Sequence, residues 1–369
     1  MHSFIFNFKR TIPEQPWTRL MAVTCLLTLS AATAWEIRCR MWGYAPTLND
    51  TPDLWALRRR AVQPDSLVII GDSRAWFDLD LDEIEHGVGR RPVQLAIPGS
   101  CAYPVLADLA DDTSFHGTVI CSVVPIMFFA PAGPPVQNSL EAINRRRTQT
   151  LAQRASTELG MLMEEHIAFL KEDDLTLGEL ISRLPIPNRA GALIGPPLPP
   201  YFETEDRERR ARMFTLCASP GPLQDRVKYG WLPLFTPPPL PTYVPREVFL
   251  KGVAQAIEAR FRDAASAVQR IRARGGKVVF IRLPVSGELK KLEDRATPRA
   301  GPWTRLLKES GAPGIYFDDY PELAGFVCPE WSHLSAPDSV VFTHRLVPHL
   351  VEAIGGTGQF SGTAKTGAL

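Results

Sequence analysis

The sequence predicts an α/β fold built around a parallel sheet, and three observations carry that prediction. Leu67-Val68-Ile69-Ile70 is a continuous aliphatic run that opens at Ser66 and stops at Gly71-Asp72-Ser73. A short apolar run closed by a turn signal reads as a strand buried on both faces. Comparable runs recur at residues 91–97, 117–124, 277–283 and 314–317. Helical periods lie among them. The plainest spans residues 248–274, where Val253, Ile257, Phe261, Ala264, Val268 and Ile271 fall at helical spacing ahead of Gly275-Gly276. Strand and helix in alternation imply a parallel sheet with helices on both faces.

Taken in order, the chain opens with an apolar run from Leu20 to Trp35, preceded by Lys9, Arg10 and Arg19. Its length is slightly under the ~20 residues that span a bilayer, and basic residues ahead of it suit a cytoplasmic N-terminus. Two readings compete. Ala32-Thr33-Ala34 resembles the small-residue cleavage site of a secretory signal. A retained signal anchor is favoured by Trp17 and Trp35, which bracket the run as interfacial residues. A buried soluble helix is the third option, and it lacks the polar face it needs. Both favoured readings put the rest of the chain on the periplasmic or extracellular side of the cell membrane.

Residues 36–64 read as a connector with a short helix, and its Arg58-Arg59-Arg60 as a solvated face or a weak contact for anionic headgroups. After the first strand, residues 79–87 start a helix. Val105 to Ala110 is helical after the second strand, and Pro337 to Ala353 is the closing helix. More than a hundred residues separate the third strand from the fourth. Their first part, Asn138 to Leu184, is helical in period; the second holds the stiff runs Pro196–Pro200 and Pro237–Pro241. Such an insertion leaves the carboxyl end of strand three either as a lid or shelf or as a surface excursion. The chain thus divides into a cytoplasmic N-terminus (1–19), an anchor (20–35), a connector (36–64), an α/β domain (65–352) with an insertion (130–247), and a flexible tail (353–369).

A formal net charge of +1 gives no electrostatic footprint for nucleic acid. Six cysteines show no Cys-x-x-Cys pairing, so a zinc site is not expected; one or two disulfides compete with buried free thiols as the default. His344 and His349, five apart on the closing helix, and His86, His116 and His166 have no ligand-like spacing. Gly87-Val88-Gly89 precedes a strand and is no dinucleotide loop. No metal and no cofactor is expected.

Ligands in open α/β sheets bind beyond the carboxyl ends of the strands, which is where Ser73 falls. Asp72-Ser73 also reads as an ordinary helix cap. Near the other end, Glu330-Trp331-Ser332-His333 supplies an acid and a histidine three apart. Ser73, His333 and Glu330 would make a nucleophile, a base and an orienting acid. The nucleophile elbow of α/β hydrolases fits less well, since Gly71-Asp72-Ser73-Arg74-Ala75 lacks its last glycine and follows the first strand.

Gly71-Asp72-Ser73, Pro98-Gly99-Ser100 and the acid-x-x-His near the C-terminus together resemble the SGNH (GDSL-like) hydrolase superfamily. The resemblance covers residues 65–130 and 248–352. It implies a flavodoxin-like three-layer sandwich and cleavage or transfer of acyl groups on esters, including O-acetyl groups of glycans. With the membrane anchor, the chain looks like proteins of exopolysaccharide O-acetylation. The implied partners are an acylated small molecule or glycan, the membrane, and a protein of an envelope complex. Ser73 would attack the carbonyl, His333 would carry its proton, and the backbone N–H groups of Ser73 and Gly99 would form the oxyanion hole. Glu330 stands where the family usually has Asp. The family's Asn after the third strand has no counterpart in Ser122-Val123-Val124-Pro125-Ile126-Met127-Phe128-Phe129, and Ser122 falls within the strand. The resemblance therefore implies either a serine esterase or O-acyltransferase, or a catalytically degenerate domain that binds a glycan or a partner.

Overall fold

The computed structural model of the chain describes residues 15–171, 202–231 and 244–355, together with 175, 180 and 181. The runs Pro196–Pro200 and Pro237–Pro241, and most of the expected tail, lie outside the described residues.

The first element, α1 (Trp17–Met41), is a helix of 25 residues with a mean hydropathy of 1.6 in its apolar window, none of which packs inside the protein. At ~1.5 Å per residue it is ~37 Å long, enough to cross a membrane. It exceeds the expected span at both ends, because Glu36 to Arg40 continue the helical backbone and carry side-chain contacts to the domain.

In the connector, α2 (Pro52–Arg60) is capped by the Thr51 hydroxyl, which accepts from Leu54 N. Its arginines correct the expectation of a solvated face. Arg59 is buried, with Nε donating to Asp108 Oδ2 at 2.8 Å and Nη2 to Asp112 Oδ2 at 3.1 Å. Arg60 donates to the Arg146 carbonyl, and Arg58 faces Glu208. A helix of this length packed on the domain has no solvent side for three consecutive residues spaced by ~100°.

The α/β domain follows with β1 (Leu67–Ile70), α3 (Ser73–Asp78), α4 (Leu81–Val88), β2 (Val93–Gln94), α5 (Tyr103–Asp111), β3 (Thr118–Ser122) and α6 (Pro125–Phe128). The insertion adds α7 (Pro134–Thr148), α8 (Leu151–Glu164), a 3-10 turn (Ala168–Leu170), the hairpin β4 (Glu203–Glu205) and β5 (Ala211–Met213), α9 (Thr215–Ala218) and α10 (Pro222–Trp231). The domain closes with α11 (Arg246–Ala273), β6 (Lys277–Arg282), α12 (Gly287–Ala296), α13 (Pro302–Ser310), β7 (Gly314–Tyr316), α14 (Pro321–Ala324) and α15 (Ala336–Ala353).

Five strands form one parallel sheet in the order β2-β1-β3-β6-β7. Its register sets Val68 beside Val93, Ile70 beside Cys121, Ser122 beside Ile281, and Ile281 beside Ile315. The aliphatic residues of β1, β3 and β6 are buried, as a sheet covered on both faces requires. Helices α15 and α4 pack together, and α11 packs on α5 and α13.

The second strand is shorter than residues 91–97. Pro92 has no N–H to give a ladder; beyond Gln94, Leu95 N and Ile97 N still donate to the Ile69 and Gly71 carbonyls at 2.8 and 3.0 Å, while the Gln94 side chain accepts from Ala96 N at 2.9 Å and donates to the Ala75 carbonyl at 3.0 Å. Residues 79–87 do hold a helix, but a separate one, α3, comes first and begins at Ser73 itself. Two helices between β6 and β7 and the β4–β5 hairpin were not legible as elements in the sequence.

The described part of the insertion is packed on the core rather than a loose excursion. Phe202 stacks on Phe77 with centroids 5.2 Å apart. Arg209 is fully buried, donating through Nε and Nη2 to Asp50 Oδ1 and through Nη1 to the Ala96 carbonyl at 2.8 Å. No disulfide forms: all six cysteines are free, and all but Cys25 are buried.

Candidate active site

The site forms where β1 hands over to α3. Gly71 is required there by close approach, since a Cβ at that position would meet Ser122 Cβ at 2.7 Å and Ala75 Cβ at 2.8 Å. The cap reading of Asp72-Ser73 resolves into two roles. Asp72 caps α3, its Oδ1 accepting from Arg74 N at 2.8 Å. Ser73, the first residue of the helix, keeps its hydroxyl for another partner.

That partner is His333, whose Nε2 lies 2.8 Å from Ser73 Oγ. On the other side of the ring, Nδ1 lies 2.9 Å from Glu330 Oε1, which also accepts from His333 N at 2.5 Å. The structure thus brings Ser73 to a histidine 260 positions away, with Glu330 three positions before that histidine. His333 and Glu330 are buried and Ser73 is half-buried, so the serine is the member that solvent reaches. With Nδ1–H donating to the carboxylate, Nε2 is left as an acceptor for the serine proton.

The loop holding the acid and the histidine is fixed at several points. Trp331, between them, takes a left-handed φ of +83°, which turns Glu330 and His333 to the same side. Strain of that kind persists only when surrounding contacts impose it. Those contacts are Ser286 N donating to the Trp331 carbonyl at 2.8 Å, Cys328 N to Ser286 Oγ at 2.9 Å, Leu334 N to Asp78 Oδ1 at 2.8 Å, and Arg74 Nε to Ser332 Oγ at 3.4 Å. Arg74 and Asp78 stand one helical turn apart on α3, the helix that starts with Ser73. One element therefore sets both halves of the serine–histidine pair.

Beneath the loop, Arg74 pairs with Glu293 through Nη1 at 3.1 Å and Nη2 at 2.5 Å, and Arg282 shares the same carboxylate. All three are buried. Burial opposes the charge on Glu293, but the two guanidiniums outweigh it and hold the carboxyl at about 2. Burial drives Asp72 upward, with Arg74 pulling the other way. Asp78 is pushed well above the usual carboxylate range by desolvation, offset only in part by Leu334 N and Arg74.

Several contributors, Arg74 and Asp78 among them, were missed in the sequence. Trp231, from the insertion, donates its indole N–H to Glu330 Oε2 at 2.7 Å and to the Glu330 carbonyl at 3.0 Å. Phe77, Phe202 and Trp231 surround the imidazole, with centroids 4.4, 5.9 and 5.9 Å from it. No spacing in the sequence ties residues 202 and 231 to residue 333.

Gly99, the second expected backbone donor, is exposed and has φ +62°. Its carbonyl accepts from Asn138 Nδ2 at 3.4 Å. The same stretch is sewn to α7 by Cys101 N donating to the Pro135 carbonyl at 2.8 Å and Ser139 Oγ to the Cys101 carbonyl at 2.7 Å. Ser122, the last residue of β3, is buried with its hydroxyl unpartnered. His344 and His349 are helix residues facing Glu83 and Glu322. Among the described residues, no group of three or more His, Cys, Asp and Glu side chains could hold a metal. A cavity of about 340 Å³ lies away from the triad, at the amino ends of the strands, against Leu67, Thr118 and Lys277.

Comparison with protein-family models, with curated proteins and with solved structures returns no match.

Proposed function

We propose that the chain is a membrane-anchored serine esterase or O-acyltransferase of the SGNH type, acting on ester-linked acyl groups, acetyl above all, of an envelope or extracellular glycan. The observation that carries the reading is the unbroken chain Ser73 Oγ, His333 Nε2, His333 Nδ1, Glu330 Oε1, with spacings of 2.8 and 2.9 Å. The strand order supports the fold half of it: the parallel sheet reads 2-1-3-4-5 once its own strands are counted in sequence, the order of flavodoxin-like folds.

In this mechanism Ser73 Oγ attacks the ester carbonyl carbon as its proton passes to His333 Nε2. The oxyanion takes hydrogen bonds from the backbone N–H groups of Ser73 and Gly99. Asn138 Nδ2 donates to the Gly99 carbonyl at 3.4 Å and so helps to hold that stretch in place. Collapse of the adduct breaks the bond to the leaving alkoxide, which receives the proton from His333. The acyl-serine then passes its acyl group to water or to a sugar hydroxyl, with His333 accepting the incoming proton and returning it to Ser73 Oγ as the acyl–serine bond breaks. Glu330 orients the imidazole and stabilises the imidazolium.

A second reading, a degenerate domain that binds a glycan or an envelope partner, is favoured by Val123-Val124-Pro125 standing where the family carries its Asn. A fluorophosphonate probe and an activated acetyl ester separate the two. The enzymatic reading expects labelling and hydrolysis, or acetyl transfer to a sugar acceptor, that Ser73→Ala abolishes without unfolding. Absence of all three in the folded wild type gives the protein to the second reading.

A further inference from the structure

Helix α8 presents its apolar residues outward. Leu151, Leu159, Leu162 and Met163 are 79, 63, 53 and 53% exposed. At ~100° per residue these four and Ala155 occupy an arc of about 120°. The opposite side carries Gln153, Arg154, Thr157 and Glu164, with Met161 its one buried apolar residue. A helix solvated on its outer side has the reverse distribution. Glu158, on the helix itself at the edge of this arc, and Glu165, just past its last turn, are both engaged by Arg207, at 3.9 and 2.5 Å.

The carboxyl end of α8 is tied to α1. Glu36 accepts from Ala168 N at 3.0 Å and Phe169 N at 3.1 Å, and Arg40 Nη2 donates to the His166 carbonyl at 3.0 Å. Residues 36–40 lie one to five positions beyond the apolar run of α1, or ~2–8 Å along its axis. The headgroup layer on each side of a bilayer is ~5–7 Å thick. Trp42, exposed just past the helix, packs edge-on to Trp35 at 5.5 Å, as interfacial tryptophans do.

We propose that the exposed face of α8 lies in the membrane interface, its last turns seated at the acyl–headgroup boundary of the leaflet from which α1 emerges. The occupant of the face is phospholipid. Continuity with α1 selects lipid over a second copy of the chain, because the ties to Glu36 and Arg40 fix the end of α8 at headgroup depth. The inference rests on α1 spanning the membrane. It adds that the α/β domain is held in one orientation against the bilayer rather than swinging on a tether.

The test uses the full chain in phosphatidylcholine vesicles, with Cys25→Ser removing the exposed thiol. An environment-sensitive fluorophore is placed through Met163→Cys, through Leu27→Cys within α1, or through Lys308→Cys at an exposed position of α13. Lipids carrying a doxyl quencher near the headgroup or deeper in the acyl chain, and aqueous iodide, report the surroundings. The expected result is lipid quenching at 163 and 27, strongest for the shallow quencher at 163, and iodide quenching alone at 308. If 27 is quenched by lipid while 163 behaves like 308, the inference fails and the anchor stands. If 163 is shielded from both quenchers, protein covers the face and the inference fails. If 27 is not quenched by lipid, the anchor reading fails and takes the inference with it.

Discussion

Glu330 has two oxygens and a different partner for each. Oε1 holds His333, and Oε2 holds the indole N–H of Trp231. A carboxylate one methylene longer than Asp has more torsional freedom, and the indole removes it. Trp231→Phe keeps the aromatic wall and deletes the donor. Loss of a hydrogen bond to a charged group is worth ~1.5–3 kcal/mol, so the proposed esterase is expected to lose roughly tenfold to a hundredfold in kcat. KM for a small ester should stay near its wild-type value, since the indole N–H touches no substrate in this geometry. A drop in KM-determined binding with kcat unchanged would assign Trp231 to the substrate wall instead.

Among the elements, α4 meets α15 at Gly87. A Cβ there would lie 2.0 Å from Val347 Cγ1. Alanine is the better helix former by ~1 kcal/mol, but overpacking a closed contact costs ~1–3 kcal/mol. Gly87→Ala is therefore expected to destabilise the domain by up to about 2 kcal/mol, read from denaturant midpoints. Adding Val347→Ala should recover part of that loss; if it deepens it additively, the two helices do not meet there. The loop before α15 is the more consequential piece, because α3 grips it through Arg74 and Asp78. Replacing Asp78 with Asn preserves the acceptor for Leu334 N and removes a titrating group. Because burial raises the Asp78 pKa, its contribution is present at low pH and lost as pH rises through that raised value. Asp78→Asn is accordingly expected to flatten the decline of thermal stability between the ordinary Asp range and that raised value, measured as Tm against pH.

At the scale of the whole molecule, one buried carboxylate joins three elements. Glu293 on α12 holds Arg74 on α3 and Arg282 on β6. Its pKa is depressed to about 2, so its stabilisation is complete above the ordinary Glu value and is lost as pH falls through about 2. Thermal unfolding should show a falling midpoint between about pH 4.5 and pH 2. Glu293→Gln leaves two guanidiniums without a counter-charge, a change of the kind that costs ~3–5 kcal/mol, and should weaken that acid dependence. Helix α1 governs the molecule's other large-scale property. If α1 is retained in the bilayer, alkaline carbonate leaves the full-length chain in the membrane pellet. Full-length protein in the supernatant contradicts anchoring, and a mature N-terminus at Trp35 points to a cleaved signal.

What the sequence determined by itself was local and periodic. The aliphatic run into Gly71 marked β1, the residues after it marked the strand-end turn, and the apolar spacing of residues 248–274 marked α11, because strand and helix periods are properties of short stretches. The acid-x-x-His spacing put Glu330 and His333 within reach of each other, since three positions in one loop keep them close. The uninterrupted run from Leu20 to Trp35 fixed an apolar helix. Tertiary structure decided everything that depends on distance between segments far apart in the chain. It set Ser73 against His333 across the sheet, turned the arginine run of α2 inward through Asp108 and Asp112, and carried Phe202 and Trp231 from a proline-rich insertion to the imidazole. No periodicity encodes such pairings, because they arise from the packing of whole elements, whose register follows from the shape of the surfaces they bury.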